Sequence, residues 1–179
     1  MENKTKLLCL LGAFVVLAGL ASSVNVTTAL ASISGQYTLV YMYNASAPSP
    51  WLVYDATVPG GVGNTLTDMG VQWGYWIKVN ATSATLNISG TEPSSTNISL
   101  ISGWNLIGYP KLASQGVTTA LSGISGQYTL LYLYNASASN PWLVYDATVP
   151  GGVGNTLANM VPGYGYWIKV NATSATLTI

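Results

Sequence analysis

The sequence predicts a mostly β protein of two tandem antiparallel units, each a β-sandwich or small barrel with one short helix, after a signal peptide. Three observations predict it. At a shift of 91 residues the chain repeats itself: Ala29–Ile88 and Ala120–Ile179 align without a gap and share 47 of 60 positions. Short aromatic and β-branched runs alternate with Gly, Pro and Asn turns. A nearly unbroken apolar run, Leu7–Ala21, follows Lys4 and Lys6 near the amino terminus.

That run, with Gly19, Ala21, Ser22 and Ser23 behind it, has the order of a cleavable secretory signal. Cleavage after Ala21 or Ser23 fits. Its 15 residues fall short of the roughly 20 that a membrane anchor needs. Cys9 sits inside the run and reads as a small hydrophobe, not as a lipid-anchor cysteine. The organisation expected is a signal peptide over 1–23, a first β repeat over 24–90, and linker plus second repeat over 91–179. Gly90–Thr96 is the linker, polar with one Pro.

The second repeat opens with Asn97–Tyr109, one apolar segment broken at Gly103 and ended by Pro110. Ser114 can cap a short helix over Ser114–Ser122, with Val117, Ala120 and Leu121 at helical spacing. Tyr128–Tyr134 is a strand with two apolar faces, hence central: Tyr128, Leu130, Tyr132 and Tyr134 on one face, Thr129, Leu131 and Leu133 on the other. Trp142–Tyr145 follows an Asn-Pro turn, and Pro150-Gly151-Gly152 turns the chain. Thr156–Met160 reads as a helical turn, and Tyr164–Val170 and Ala175–Ile179 as closing strands.

The first repeat is incomplete. Gly103–Pro110 (GWNLIGYP) should recur at Gly12–Gly19, where the signal stands instead. Three arrangements answer the open edge: Asn97–Leu106 serves both units, a neighbouring chain adds a strand, or the chain is a remnant of a longer array. No anchor is seen after Ile179.

Composition excludes several functions. There are five basic residues, all Lys, five acids and no His. Beyond the signal only Lys78, Lys111 and Lys169 remain, too few to neutralise a row of phosphates, so no nucleic-acid partner is expected. Without His, and with Cys9 in the signal, a Cys/His metal site and a His-based triad are excluded. Asp55 and Asp146 recur in Tyr-Asp-Ala-Thr-Val-Pro-Gly-Gly but have no repeated acidic partner, and Asp68 aligns with Asn159. Paired-carboxylate hydrolysis is therefore not expected. A lone Asp before a turn reads as a turn residue. No cofactor, metal or catalytic residue is assigned, and the protein is read as no enzyme.

Asn25, Asn44, Asn80, Asn87, Asn97, Asn135 and Asn171 each open an Asn-x-Ser/Thr triplet, seven of the twelve asparagines beyond the signal. They are N-glycosylation candidates in an exported protein, or plain turn residues. Trp51, Trp76, Trp142 and Trp167 recur in both repeats and are candidate ligand-stacking aromatics; the competing reading places them in the core or its rim. Strand alternation puts Trp76 and Trp167 on the face of a Lys and a sequon Asn, a face that can be exposed.

GWNLIGYP at Gly103–Pro110, the strand Tyr128–Asn135, WLVYD at Trp142–Asp146 and GYGYWIKV at Gly163–Val170 form a series. It resembles the tandem β repeats of archaeal and bacterial secreted cell-surface proteins, S-layer-like and adhesin-like proteins among them. The likeness covers residues 26–179. It implies an extracellular structural or adhesive role and transfers no catalytic residue. The expectation is thus a non-enzymatic, exported cell-surface repeat glycoprotein, with a carbohydrate-binding module as the alternative. Expected partners are copies of itself, other surface proteins or glycans; the membrane is met only through the signal before cleavage.

Overall fold

The computed structural model describes residues 6–10, 23–88 and 91–179, with the backbone alone for 6–10. Among these, the first unit contains strands β1 (Lys6–Leu10), β2 (Ser23–Asn25), β3 (Tyr37–Tyr43), β4 (Trp51–Asp55), β5 (Asp68–Gly70) and β6 (Tyr75–Val79). The second contains β7 (Asn97–Ile107), β8 (Gln115–Gly116), β9 (Tyr128–Tyr134), β10 (Trp142–Asp146), β11 (Asn159–Met160) and β12 (Tyr166–Thr178). One four-residue α-helix serves each unit, α1 (Val26–Ala29) and α2 (Val117–Ala120). The chain is mostly β and its strand pairs are antiparallel.

Each unit has a four-stranded open sheet, ordered β1-β6-β3-β4 in the first and β7-β12-β9-β10 in the second, plus a two-stranded ladder. The two orders correspond strand for strand. Each core joins the inner face of the large sheet to the helix and the small ladder. In the first unit Val26, Leu30, Ile33, Val40, Met69 and Ile77 meet. In the second, Val117, Leu121, Ile124, Leu131, Met160 and Ile168 repeat that cluster. Neither sheet closes into a barrel, so the architecture is sandwich-like.

Central β9 lies between β10 and β12, as its two apolar faces require. A bulge corrects the expected alternation. Lys169 pairs with Leu130 but Val170 with Tyr128, so Thr129 is the extra residue. Tyr128 is thereby turned into the core beside Leu131, leaving Tyr132 and Tyr134 outside. Tyr37 repeats this in the first unit, where the register shifts between Tyr37 and Leu39.

Three further expectations change. The cap at Ser114 is not made: α2 starts after Gly116, which has no side chain to offer, whereas Asn25 caps α1 by accepting the Thr27 N–H at 3.0 Å. Thr156–Met160 forms no helical turn, because Asn159–Met160 pairs with Gln115–Gly116. The two closing strands are one strand, β12, with a register shift between Val170 and Ser174. Opposite that shift Gly103 takes φ +92°, a conformation that favours glycine. Buried Asn105 clamps the irregularity, accepting from the Ile101 N–H at 3.1 Å and donating to the Ile101 carbonyl at 2.8 Å.

On the outer edge of β6, residues Lys6–Leu10 pair with Val79–Tyr75. β7 holds the same place on β12, and both receiving strands begin Tyr-Trp-Ile-Lys-Val. Residues 12–19, where GWNLIGYP should recur, lie outside the described residues. The far edge of β7 also reaches the first unit. The Gly74 N–H donates to the Leu106 carbonyl at 3.3 Å, and the Gly108 N–H to the Gln72 carbonyl at 3.0 Å.

Candidate functional site

Period-two alternation places Tyr75, Ile77 and Val79 of β6 in the first core and Trp76 on the opposite face. On β3, Val40 and Met42 point inward and Tyr41 and Tyr43 outward. The second unit does the same with Tyr134 and Trp167, and Tyr132 meets Trp104 and Trp142 on that face. These two outward faces meet, and the candidate site is their seam.

Within each unit the rings hold one geometry. Tyr43 and Trp51 have centroids 4.9 Å apart at 63°, and Tyr134 and Trp142 repeat both values. Across the seam the contacts are reciprocal. Tyr43 meets Trp167 at 5.2 Å, and Tyr134 meets Trp76 at 5.3 Å. Trp51 meets Trp167 at 6.1 Å, and Trp142 meets Trp76 at 6.0 Å. All lie in the range of favourable aromatic pairs, and edge-on or tilted arrangements predominate, as the ring quadrupoles prefer. Each partner maps to its counterpart by the 91-residue shift, so the seam behaves like an isologous dimer interface inside one chain.

All four sequence-predicted tryptophans converge here, but unequally. Trp51 and Trp142 are 50% and 45% exposed. Trp76, on a face that alternation leaves open, is only 8% exposed, because the second unit covers it, in keeping with the core-or-rim reading. Trp167 is half-buried. Sequence reasoning missed Trp104 and the outward tyrosines as site residues. Their signal was present: Tyr41 and Tyr43 alternate with Val40 and Met42. Tyr54 and Tyr145, by contrast, pack at the core margins, and Tyr75 and Tyr166 are fully buried.

Trp104 breaks the symmetry. It projects from β7 to within 5.8 Å of Tyr132 and 6.4 Å of Trp167, the latter at 89°. Lys169 Nζ lies 5.9 Å from its ring centre. The Trp104 counterpart is Ala13, outside the described residues. Two aromatic clefts result. One, about 520 Å³, is lined by Tyr43, Trp104, Tyr132, Trp142 and Trp167. The other, about 480 Å³, is lined by Tyr41, Trp51, Trp76 and Trp167.

The repeated acids are turn residues. The Asp55 carboxylate accepts from Thr57 Oγ1 at 2.7 Å and from the Thr57 N–H at 2.8 Å. Asp146 does the same with Thr148. The threonine hydroxyl first, then its N–H, hold each carboxyl below the ordinary aspartate range. Asn64 closes the loop, accepting the Asp55 N–H at 2.7 Å. Among the described residues, no group of three His, Cys, Asp or Glu is placed to hold a metal. No helix there is long and apolar enough to cross a membrane.

Of the sequon asparagines, Asn25, Asn80, Asn87, Asn97 and Asn171 are exposed, and Asn44 and Asn135 are half-buried. Asn44 and Asn135 accept the Ser46 and Ser137 N–H groups at 3.1 and 3.0 Å, which is turn chemistry. Compared with known protein families, with characterised proteins and with solved structures, the chain has no match.

Proposed function

We propose that this chain is a non-enzymatic structural and adhesive component of a cell surface, exported through its apolar leading segment and displaying N-glycans. The observation that carries this reading is the reciprocal aromatic seam. It packs the two β units against each other through paired rings, and a duplicated body of this kind suits presentation at a surface. Exposed sequon asparagines on both units support the glycoprotein part. The test is fractionation of producing cells with mass spectrometry of the protein. The reading expects it outside the cell, beginning at Ser22 or Val24, with hexose on the sequon peptides. A cytoplasmic protein retaining Met1–Leu20 overturns it.

A second reading, a carbohydrate-binding module, is favoured by one observation. Trp51, Trp104 and Trp142 stay exposed at the rims of the two clefts, although Trp76 is buried and the other neighbouring rings are half-buried. Clustered exposed aromatics mark interaction sites more often than single ones.

A further inference from the structure

We infer that the larger cleft is a binding site for a neutral pyranose of an oligosaccharide, and that both units are needed to build it. The inference rests on the carbohydrate-binding reading and assigns it a place. The cleft has the volume usual for small-ligand sites, about 520 Å³. Among the described residues its lining is five aromatic side chains, four from the second unit and Tyr43 from the first.

The chemistry selects the ligand. A pyranose presents an apolar C–H face and a rim of hydroxyls. Trp104 and Trp167 stand at 89° to one another, as Tyr132 and Trp142 do at 86°. Walls meeting at right angles let a ring lie flat on one aromatic face while its edge meets another. Tyr hydroxyls and indole N–H groups supply donors and acceptors for sugar hydroxyls. Charge decides against the competitors. Among the described residues no acid lines the cleft, so they offer a cation nothing beyond the rings themselves. Lys169 already occupies the cationic position over Trp104, which disfavours a second cation on that ring. One lysine is too little for a nucleic-acid strand.

The smaller cleft lacks a Trp104 equivalent among the described residues, so its open side offers one stacking wall fewer. The inference therefore predicts one strong site per chain.

The test titrates the full chain with neutral hexasaccharides of β-1,4-glucose, β-1,4-N-acetylglucosamine and α-1,6-mannose, and with tetramethylammonium, following tryptophan emission and binding heat. At least one sugar should bind with a stoichiometry of one. Trp104→Ala and Tyr43→Ala should each weaken that binding about tenfold or more, Trp104→Phe should restore part of it, and Val153→Ala, on an exposed turn outside the cleft's described lining, should leave it unchanged. Circular dichroism and melting of Trp104→Phe check that the fold persists. Sugar binding that survives both alanine substitutions overturns this site but leaves the carbohydrate reading standing. No response to any sugar overturns both. Tighter binding of tetramethylammonium than of any sugar makes the cleft a cation cage and overturns the inference.

Discussion

The ring of Trp76, on the first unit, lies 5.3 Å from that of Tyr134, on the second, and is buried by it. Its twin by the internal repeat, Trp167, meets Tyr43 at 5.2 Å. One sequence motif, Tyr-Trp-Ile-Lys-Val, thus serves a core with its alternate residues and an interface with its tryptophan. Removing a buried aromatic costs about 3–5 kcal/mol. Trp76→Ala should approach that cost in denaturant unfolding. Trp51→Ala, half-exposed at the rim, should cost about 1 kcal/mol. Equal costs would mean that burial does not rank these residues.

Gly74 tests the same seam through the backbone. A Cβ there would stand 2.7 Å from Leu106 Cδ1 and 2.9 Å from the Ile107 carbonyl oxygen. The carbonyl cannot swing aside without breaking the junction with β7. Gly74→Ala should therefore destabilise by about 1–3 kcal/mol. Gly123→Ala meets nothing within 4 Å and is the control, expected within about 0.5 kcal/mol of the parent. Chemical denaturation of both variants decides it.

One buried tyrosine staples each small ladder to its sheet. Tyr75 Oη accepts the Gly70 N–H at 2.7 Å and donates to the Gly70 carbonyl at 3.2 Å. Tyr166 makes the same pair with Val161, at 2.6 and 3.1 Å. Tyr75→Phe should leave a buried N–H and carbonyl with one partner fewer each, at about 1–3 kcal/mol. A melting temperature unchanged by Tyr75→Phe would show that the staple contributes nothing.

Alkali should unfold the protein through its buried phenols. Burial first, then the neighbouring Tyr145, pushes the Tyr128 hydroxyl up to about 12 from 10.0. A raised folded value means that the contribution is complete below the unfolded value and is lost as pH rises. Stability should thus fall between pH 10.0 and about 12. Burial raises Tyr37 and Tyr75 as well. Phenolate absorbance should show a late group of tyrosines ionising together with loss of the fold. All phenols ionising near the ordinary value, with the fold intact, would contradict this.

The first sheet offers a test of the proposed export. β1 covers the edge of β6, and cleavage after Ala21 or Ser23 would remove it. An uncovered edge recruits another strand. A chain beginning at Val24 should then form dimers or larger species in light scattering on a size-exclusion column, growing with concentration. A monomer at every concentration would mean that the edge is closed in another way.

Much of this was legible in the sequence, for physical reasons. Duplication at a fixed shift shows two units, and alternation sorted Ile77 from Trp76 correctly. The turn at Asp55 reads directly from Asp-Ala-Thr. What stayed hidden depends on long-range pairing. The bulge that turns Tyr128 inward exists only against β12, and Asn159–Met160 became a strand only because β8 lay beside it. Alternation tells which face Trp76 takes, not what covers that face, so its burial is not legible locally. The seam needs both units docked, and no local pattern encodes docking.

The central claim is that the two units form one body through the aromatic seam. Scanning calorimetry of the full chain beside its Trp76→Ala,Trp167→Ala double variant tests it most directly. The parent should give one transition, with equal calorimetric and van't Hoff enthalpies, and the variant two separated ones. Two independent transitions in the parent would contradict it.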